Sequence, residues 1–351
     1  MVSLSTNCWG AEQTLQALFG EVARVQGGQI DLLAPRGELL EWWSASGLGY
    51  ARELSLARAP DTVTRFVRTM PRLARASASL FAGHDLVHSH HQWSHAAVAY
   101  TFRNRSVLDV HDIPGTRLGR SMQRRAAAVA GHTFAASSSC ATHLEPHGKR
   151  VTILPRPVAA QNRDSWRRGR VPGKQRVGTV EVIIVARPDP WKRVGEGVSA
   201  MAEALAPGDR ITLVGGRLDD YKVASTYQGV RVEAVGRLER DALTQLMSRA
   251  DVHFLTSPAE PFGRTVVEAA AQGVPSIVFA GSGAAETVAK TRGGYVIAAH
   301  AELPALMRRI RNESVDIPAL ERIVETHAPT RVAQEYLTVV RHLSTVRSEK
   351  S

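Results

Sequence analysis

The amino-acid sequence predicts an α/β protein with two doubly wound domains, each built on a parallel sheet between helices. Three observations indicate this fold class. Apolar, β-leaning runs alternate with helical segments along the chain, as expected for parallel strands joined by helical crossovers. The alternation is interrupted by a polar, basic segment rich in Pro and Gly, and then restarts. The 351 residues are enough for two domains of ordinary size.

These patterns also set the domain boundaries. We predict an N-terminal domain over residues 1–160, a linker over 161–179 and a C-terminal domain over 180–329. The final segment, 330–351, has amphipathic helical periodicity. It either completes the second domain or crosses back to the first.

In the N-terminal domain, short apolar runs predict six strands. They are Met1–Thr6, Ile30–Pro35, Asp85–His90, Ser106–Asp112, Thr133–Ser137 and Val151–Leu154. Helical spacing predicts three helices, over Ala11–Val25, Thr62–Phe81 and Arg117–Arg125. The last two are basic, and residues 36–60 give no clear prediction. Gly10, between the first strand and the first helix, allows close approach of a ligand or of backbone.

In the C-terminal domain, five runs predict strands. They are Val180–Ala186, Ile211–Gly216, Val230–Arg237, Val252–Ser257 and Ser276–Gly281. The first is continuously apolar, which is typical of a parallel strand buried on both faces. A helix is predicted over Arg240–Arg249 and another from Gly263, ending near Gly273 and Pro275.

The stretch from Leu255 to Pro275 joins a strand, a loop and a helix N-terminus. The unpaired N–H groups and partial positive charge of such a terminus favour a phosphate. Glu260 precedes the helix and Glu268 lies in its second turn, so the two carboxylates can flank a bound anion. Carboxylates accept hydrogen bonds from vicinal diols, so the stretch fits a nucleotide sugar, with Glu268 on the ribose and Glu260 on the transferred hexose. Alternatively, both are surface acids that complement the helix dipole.

Cations follow the first strand of the C-terminal domain. Arg187 and Lys192 lie in a turn that is fixed by two prolines, and Arg and Lys are suited to diphosphate oxygens. In the N-terminal domain, His111 follows a strand, at the end where open α/β sheets bind ligands. It is either a ligand-binding or a structural histidine. A group of four histidines suggests a metal: His88, His90, His91 and His95. No Cys or carboxylate completes a site nearby in sequence, so we predict none.

Composition excludes several classes of protein. Two cysteines argue against a disulfide framework and a zinc–thiolate site. The sequence shows no signal-peptide pattern at Met1 and no apolar run long enough to span a membrane. We expect a cytoplasmic protein, with peripheral contact at the inner face of a membrane as a further hypothesis.

The net charge of +11 is unevenly distributed. Residues 1–176 contain 23 Lys and Arg against 12 Asp and Glu, whereas residues 177–351 contain 21 of each. Such a field attracts an anionic acceptor, a membrane surface or nucleic acid, unless it only reflects an Arg-rich solvated face. We expect no nucleic acid, because the basic half lacks the stacking-rich motifs of single-strand binders.

Taken together, the motifs resemble the retaining GT-B glycosyltransferases of family 4. In the C-terminal half, the resemblance rests on Arg187-x4-Lys192, Val235-Gly236-Arg237-Leu238, Glu260-Pro261-Phe262-Gly263, Glu268-Ala269 and Gly273-Val274-Pro275. In the N-terminal half it rests on Gly10-Ala11-Glu12, Asp85–His90 and Val110-His111-Asp112. It implies a GT-B fold, in which two Rossmann-like domains face an interdomain cleft.

The resemblance also implies roles for individual residues. Arg187 and Lys192 would stabilise the leaving diphosphate, Glu268 would bind the ribose, and Glu260 would hold the sugar with Phe262 and Gly263. The start of the helix, at Arg264 and Thr265, belongs to the same donor site, and the backbone at Arg237 and Leu238 would contact the base. His111 would approach the donor sugar, and Gly10 would lie near the diphosphate and acceptor. The donor is a nucleoside-diphosphate sugar, and neither a protein nucleophile nor a metal is required.

The chain departs from the family pattern at three places. Trp9 replaces the first of two glycines, Ala186 replaces a glycine before Arg187, and Pro155–Ala159 replaces Pro-Asn-Gly-Val-Asp. The first and third changes lie on the acceptor side. A nucleotide-sugar epimerase or hydrolase on the same architecture, and a non-catalytic basic binding protein, are alternative functions.

Overall fold

A computed structural model describes residues 1–6, 10–55, 63–144, 151–159 and 178–348. The chain forms two compact units. Unit 1 contains residues 1–158 and 328–351, and unit 2 contains residues 159–327. Most of the predicted linker lies outside the described residues.

Unit 1 is a parallel sheet between helices. Its strands are β1 (Leu32–Ala34), β2 (Ala51–Glu53), β3 (Val87–Ser89), β4 (Ser106–Val110), β5 (His132–Ala135) and β6 (Val151–Ile153). Its helices are α1 (Gly10–Gln26), α2 (Glu38–Ser46), α3 (Val63–Leu80), α4 (Gln92–Phe102), α5 (Arg117–Val129), α6 (Ser138–Leu144) and the last helix of the chain, Pro329–Ser348. The predicted basic helices correspond to α3 and α5, whereas α2, β2, α4 and α6 were not predicted.

The strand predicted at Met1–Thr6 is much shorter in the structure. Val2 forms isolated parallel bridges to Leu33 of β1 and Ser89 of β3, which gives the order β2-β1-Val2-β3-β4-β5-β6. The backbone hydrogen bonds to β1 and to the segment around β3 involve only Met1, Val2 and Ser3. The apolar run at the start of the chain therefore fills the centre of the sheet through a single bridged residue.

Unit 2 is a seven-stranded sheet with helices between its strands. The strands are β7 (Glu181–Val185), β8 (Arg210–Val214), β9 (Thr226–Tyr227), β10 (Val230–Ala234), β11 (Val252–Phe254), β12 (Ser276–Phe279) and β13 (Gly294–Ile297). The helices are α7 (Val194–Ala204), α8 (Leu218–Tyr221), α9 (Arg240–Arg249), α10 (Arg264–Ala271), α11 (Gly283–Thr291), α12 (Leu303–Asn312) and α13 (Ile317–Thr326). We number Pro329–Ser348 as α14.

The sheet of unit 2 has the order β13-β12-β11-β7-β8-β10-β9. All neighbours are parallel except β9, which pairs antiparallel with β10 at the edge and corrects the expectation of a purely parallel sheet. The first strand, β7, is central, and the chain moves to one side for β8 and to the other for β11. Such a reversal of strand order is the point where open α/β sheets bind ligands.

Each unit has its own core, and the ends of the chain meet in unit 1. Tyr336 and Leu337 of α14 pack in one cluster with Leu15 and Phe19 of α1. In unit 2, the central cluster joins β7, β8 and β10 to α7 and α12. Within the described residues, none of the helices combines the length and the apolar character that crossing a bilayer requires.

Candidate functional site

The candidate donor site of unit 2 lies where β7 and β11 end. The loop after β7 runs from Ala186 through a short 3-10 helix at Pro190–Lys192. The loop after β11 runs from Leu255 to Gly263, where α10 begins. Because the two strands are adjacent and parallel, their following loops emerge side by side at one edge of the sheet.

Lys192 and Glu260 meet at this edge. The Lys192 Nζ lies 2.6 Å from Glu260 Oε2, and the side chains are only 15% and 13% exposed. The Lys192 ammonium also lies 3.9 Å from the centre of the Trp191 ring, a cation–π contact. The Thr256 hydroxyl donates to the Lys192 carbonyl at 2.7 Å, which ties the two loops together. Both side chains are therefore held in place rather than left in bulk water.

A glycine in the neighbouring helix allows this contact between loops. A Cβ on Gly197 of α7 would lie 2.3 Å from the Thr256 methyl carbon, so no larger residue fits there without a shift. The absence of a side chain at Gly197 lets α7 pack against Thr256. The position of Lys192 thus depends on a residue that itself carries no functional group.

Arg187 lies on the exposed side of the same loop. Its guanidinium is 2.8 Å from Asp189 Oδ2, and the Arg187 side chain is about half exposed. Before it, the carbonyl of Ala186 accepts a hydrogen bond from the Tyr221 hydroxyl at 2.5 Å. Gly215 packs against the same carbonyl, since a Cβ there would lie 2.3 Å from the Ala186 oxygen. The absence of a side chain at Gly215 thus leaves room for the backbone carbonyl that precedes Arg187.

The start of α10 is shaped by Gly263. This residue has φ +79° and is the N-cap, and a Cβ on it would lie 2.7 Å from the Ala284 Cβ. Because glycine has no side chain to cap the helix, the first N–H groups of α10, including those of Arg264 and Thr265, are not covered by an N-cap side chain. The Glu260 carbonyl accepts from Gly283 N at 2.7 Å, which fixes the loop before the helix.

Glu268 projects from the second turn of α10. Arg264 Nε donates to its Oε1 at 2.7 Å, and both side chains are mostly buried. Arg240 of α9 also lies near this pair: burial lowers its pKa most, Arg264 lowers it further and Glu268 opposes the shift. Phe262 lies against His327, with 5.1 Å between the ring centres. The structure therefore places a second cation–carboxylate pair one helical turn beyond the Glu260 loop.

The turn after β10 holds the other predicted donor residues. Gly236 has φ +71°, and its carbonyl accepts from Gly215 N at 2.8 Å. The Leu238 side chain packs with Val214 and Ala269, whereas Arg237 is exposed. The side chain of Leu238 is therefore used in packing, and only its backbone is available for a ligand.

Unit 1 carries a separate group of polar residues where β3 and β4 end. His111 follows β4 and stacks on His90, with ring centres 4.6 Å apart. Burial lowers the pKa of His111, and neighbouring His90 lowers it further, so the ring is neutral at pH 7. Its Nδ1 is buried and has no hydrogen-bond partner among the described residues. A neutral ring with an unused nitrogen can bind a hydroxyl.

This group of polar residues also contains a buried ion pair. Asp109 of β4 binds the Arg156 guanidinium and also accepts from His90 Nδ1, at 3.1 Å. Burial alone would raise the pKa of Asp109, but Arg156 and His90 hold it well below its usual value. Arg156 is only 3% exposed and also donates to the Val110 carbonyl at 3.1 Å. This is the segment that departs from the family pattern, and the departure introduces the partner of Asp109.

Sequence reasoning missed the carboxylate of the histidine group. His88, His90 and Asp109 have ligand atoms within 4.8 Å of one another, because Asp109 lies on the adjacent strand. The carboxylate that is absent from the neighbouring sequence is therefore supplied by the adjacent strand, although Arg156 already supplies positive charge to Asp109 and opposes a second cation there. The pairing of β3 with β4 was the only signal that could have shown this.

Glu12 is a further residue of this group. It is buried in α1 and accepts a hydrogen bond from Ser5 Oγ at 2.5 Å. Burial would raise its pKa, but His90, Ser5 and His111 together lower it, so the carboxylate lies near both rings. Gly10 begins the same helix, and residues 7–9, including Trp9, lie outside the described residues.

Comparison with known proteins identifies the fold as GT-B. Residues 170–325 match the family Glycosyl transferases group 1, a range that includes every donor residue predicted in the C-terminal half but neither His111 nor Gly10. Anabaena HepE in complex with UDP superposes with a TM-score of 0.74 at 17% identity, covering 97% of this chain and 98% of that chain. Sucrose-phosphate synthase from Thermosynechococcus elongatus gives a TM-score of 0.74 at 18% identity, covering 98% and 99%.

A curated relative is also similar in sequence. Glycogen synthase from Mycobacterium tuberculosis is 28% identical over 259 residues. The match covers 68% of this chain and 62% of the length of that relative.

Proposed function

We propose that this protein is a glycosyltransferase that moves a sugar from a nucleoside-diphosphate sugar to an acceptor hydroxyl. The observation that carries the proposal is the contact of Lys192 with Glu260 beside the start of α10. In such a donor, the anomeric carbon is bonded directly to the diphosphate. A cation for the phosphate and a carboxylate for the sugar hydroxyls must therefore be neighbours, as these two residues are.

The other donor contacts follow from the same geometry. Arg187 supplies a second cation from the same loop, and the uncovered N–H groups at Arg264 and Thr265 bind phosphate oxygens. Glu268 accepts from the ribose, and the backbone at Phe262 and Gly263 lies along the sugar. Lys192, Arg187 and Arg264 are each paired with a carboxylate in the structure. On donor binding, phosphate oxygens become partners of the cations and hydroxyls become partners of the carboxylates.

The comparisons support this assignment and suggest the first donor to test. The family match covers Arg187, Lys192, Glu260 and Glu268. HepE has been solved with UDP and with UDP-glucose, so UDP-glucose is the first choice. The Leu238 side chain is used in packing and does not select a base, so GDP-, ADP- and dTDP-sugars belong in the same screen.

We further propose that the reaction retains the anomeric configuration. The C1–O bond to the diphosphate breaks, and the acceptor oxygen forms a bond to C1 on the same face. The acceptor proton passes to the departing phosphate oxygen. Arg187 and Lys192 stabilise the charge that develops on that oxygen. The proposed step uses no protein nucleophile, because the acceptor oxygen attacks C1 directly.

Unit 1 is proposed to bind the acceptor. His111 is neutral and has an unused Nδ1, which can bond a sugar hydroxyl. Gly10, at the start of α1, leaves the backbone accessible to the ligand. The basic character of residues 1–176 favours an anionic acceptor. Raising the ionic strength should then increase the acceptor KM while leaving the donor KM less affected.

Two measurements test the proposal. Calorimetric titration with UDP, GDP, ADP and dTDP should show binding of one diphosphate, and binding of none contradicts it. Incubation of the chosen donor with acceptor extracts, followed by mass spectrometry and NMR, should give a product with the donor's anomeric configuration. Donor alone is the control, because a hydrolase or epimerase converts it without any acceptor.

The activity should not require a divalent metal. Arg187 and Lys192 supply the positive charge at the leaving group, which is the role that a metal ion plays in other transferases. We expect the rate to be unchanged after dialysis against EDTA. A loss of activity that Mg²⁺ or Mn²⁺ restores contradicts this part of the proposal.

A further inference from the structure

Three neighbouring helices of unit 1 contain no acidic residue. The sequences of α3, α4 and α5 include eight arginines and neither Asp nor Glu. Four arginines belong to α3 and four to α5, and they are Arg65, Arg68, Arg72, Arg75, Arg117, Arg120, Arg124 and Arg125. On an ordinary solvated helix, charges of both signs are interspersed. We call the outer face of these three helices the arginine face.

The three helices form one continuous layer. α4 packs against both α3 and α5, so it lies between them. Met70 of α3, Trp93 of α4 and Met122 of α5 pack against the same buried cluster. The arginines of α3 and α5 are therefore carried by one layer of unit 1 rather than by distant parts of the surface.

The arginines of α3 point away from the core. They recur at three- and four-residue intervals, and all four are exposed, whereas Leu73 on the opposite side of the helix is fully buried. On α5, Arg117 and Arg125 are exposed, whereas Arg124 is partly buried and Arg120 donates to the carbonyls of Pro114 and Gly115. The exposed positive charge of the arginine face is therefore supplied by the four arginines of α3 together with Arg117 and Arg125.

Large apolar side chains are exposed among these arginines. Val67 of α3 is 52% exposed, Tyr100 of α4 is 49% exposed and Leu118 of α5 is 56% exposed. Val67 precedes Met70 by one helical turn, and Leu118 precedes Met122 by one turn, so both adjoin the shared cluster. Arginine combined with exposed aliphatic groups is the composition of helices that lie in a membrane interface.

We propose that the arginine face docks on an anionic lipid bilayer. The guanidinium groups bind lipid phosphates as forks, while Val67, Leu118 and Tyr100 enter the boundary between headgroups and acyl chains. Nucleic acid fits the charge but not the aliphatic residues, since single strands are bound by stacked aromatic rings. The inference rests on unit 1 alone and does not depend on the donor proposed for unit 2.

The test uses the full chain and vesicles. Cosedimentation should show binding to vesicles that contain phosphatidylglycerol, no binding to pure phosphatidylcholine, and weakening with salt. A basic residue near an anionic membrane surface adds about fivefold to the affinity. The triple variant Arg68→Gln, Arg72→Gln, Arg75→Gln should therefore bind vesicles that contain phosphatidylglycerol with an affinity lower by on the order of a hundredfold. Equal binding to both vesicle types overturns the proposal.

A matched control removes the same charge from unit 2. Arg231→Gln, Arg249→Gln and Arg308→Gln replace three exposed arginines and should leave vesicle binding nearly unchanged. Similar losses in the two triple variants would mean that net charge alone matters, and would overturn the assignment to this face. Far-UV circular dichroism checks the folding of each variant.

A second variant separates lipid from nucleic acid. Leu118→Gln keeps every charge but removes an exposed apolar group, and should weaken the vesicle binding that remains at high salt. Duplex DNA should bind more weakly than anionic vesicles at equal phosphate concentration. Tighter binding to DNA, with no effect of Leu118→Gln on either ligand, would show that the face binds nucleic acid instead.

Discussion

Lys192 has the most specific environment of the proposed donor residues. It contacts Glu260, the Trp191 ring and, through its carbonyl, Thr256. A cation held in this way is preorganised for charge that appears on the leaving diphosphate, and losing one such contact typically costs roughly a hundredfold in turnover. We expect Lys192→Ala and Arg187→Ala each to lower kcat by about that factor.

The control is a lysine outside the site. Lys290 of α11 is exposed, and Lys290→Ala should keep normal turnover. Steady-state kinetics with a true donor and acceptor pair compares the three variants. Near-normal rates in both Lys192→Ala and Arg187→Ala would refute the roles proposed for these two cations.

The Asp109–Arg156 pair makes a second prediction at the scale of single residues. Both groups are buried, so Asp109→Asn leaves the Arg156 charge without its counter-ion, which typically costs about 3–5 kcal/mol. The double variant Asp109→Asn, Arg156→Met removes both charges and should recover part of this loss. Urea unfolding, followed by a spectroscopic signal from unit 1, measures the difference in the free energy of unfolding between the single and double variants. Exposed Asp241→Asn is the control, and equal stability of the single and double variants contradicts the prediction.

At the scale of one strand, His253 makes stability depend on pH. It lies in β11, bonds Ser276 Oγ at 3.0 Å, and burial lowers its pKa to about 3. The unfolded chain, with an ordinary His pKa near 6.5, binds a proton first as the pH falls. The stability contributed by neutral His253 is therefore complete above about pH 6.5 and is lost progressively toward pH 3.

The expected slope is about 1.4 kcal/mol per pH unit for this one histidine near pH 5. Burial lowers the pKa of His88 to about 3 and that of His91 to about 4. Both histidines therefore also make unit 1 less stable as the pH falls. Urea unfolding between pH 7 and pH 4.5 measures the slope, and His253→Gln should flatten it for unit 2. An unchanged slope in that variant would show that His253 does not carry the effect.

The next prediction concerns the backbone conformation of Gly263 at the start of α10. Gly263→Ala forces a side chain into φ +79° and within 2.7 Å of Ala284, so it should destabilise unit 2 and weaken binding of the nucleoside diphosphate. Gly20→Ala is the matched control, because Gly20 lies inside α1 with nothing within 4 Å of the added Cβ. It should leave diphosphate binding intact and be neutral or slightly stabilising. Calorimetry compares both variants, and unchanged binding in Gly263→Ala would contradict the role of the helix start.

Part of this site could be predicted from sequence because its signals are local. Gly263, with the prolines before it, predicts the start of α10, and the apolar run at Val180–Ala186 predicts the strand β7. The sequence places Lys192 and Glu260 in one donor site, but their direct contact could not be predicted, because it comes from strand pairing. Lys192 and Glu260 are separated by 68 residues and meet only because β7 and β11 are adjacent.

The same reason explains the residues missed in unit 1. Asp109 lies within an otherwise apolar strand, and nothing in the neighbouring sequence indicates its partner. That partner, Arg156, is 47 residues away. Glu12 lies in a helical pattern and shows its burial only once α1 packs on the sheet. The short strand β9 carries no apolar run of its own, and its pairing with β10 follows from the turn between them.

At the scale of the whole molecule, the two proposals assign different ligands to different units. The nucleoside diphosphate binds the loops after β7 and β11 in unit 2, and the anionic bilayer binds the arginine face in unit 1. A ligand present at a hundred times its Kd stabilises the folded state by about 2.7 kcal/mol, and most of the protection appears where it binds. Amide hydrogen exchange on the full chain can therefore locate both sites separately.

We expect UDP, or whichever diphosphate binds, to slow exchange at Ala186–Lys192 and Leu255–Thr265 and to leave α3 and α5 unchanged. Vesicles containing phosphatidylglycerol should give the reverse pattern, with slower exchange in α3 and α5 and no change in the two loops. Pure phosphatidylcholine vesicles are the control and should change neither. Protection of α3 by the diphosphate alone, or of the loops by vesicles alone, would mean that the wrong unit has been assigned to that ligand. Either failure leaves the other proposal standing, because the two sets of contacts share no residue.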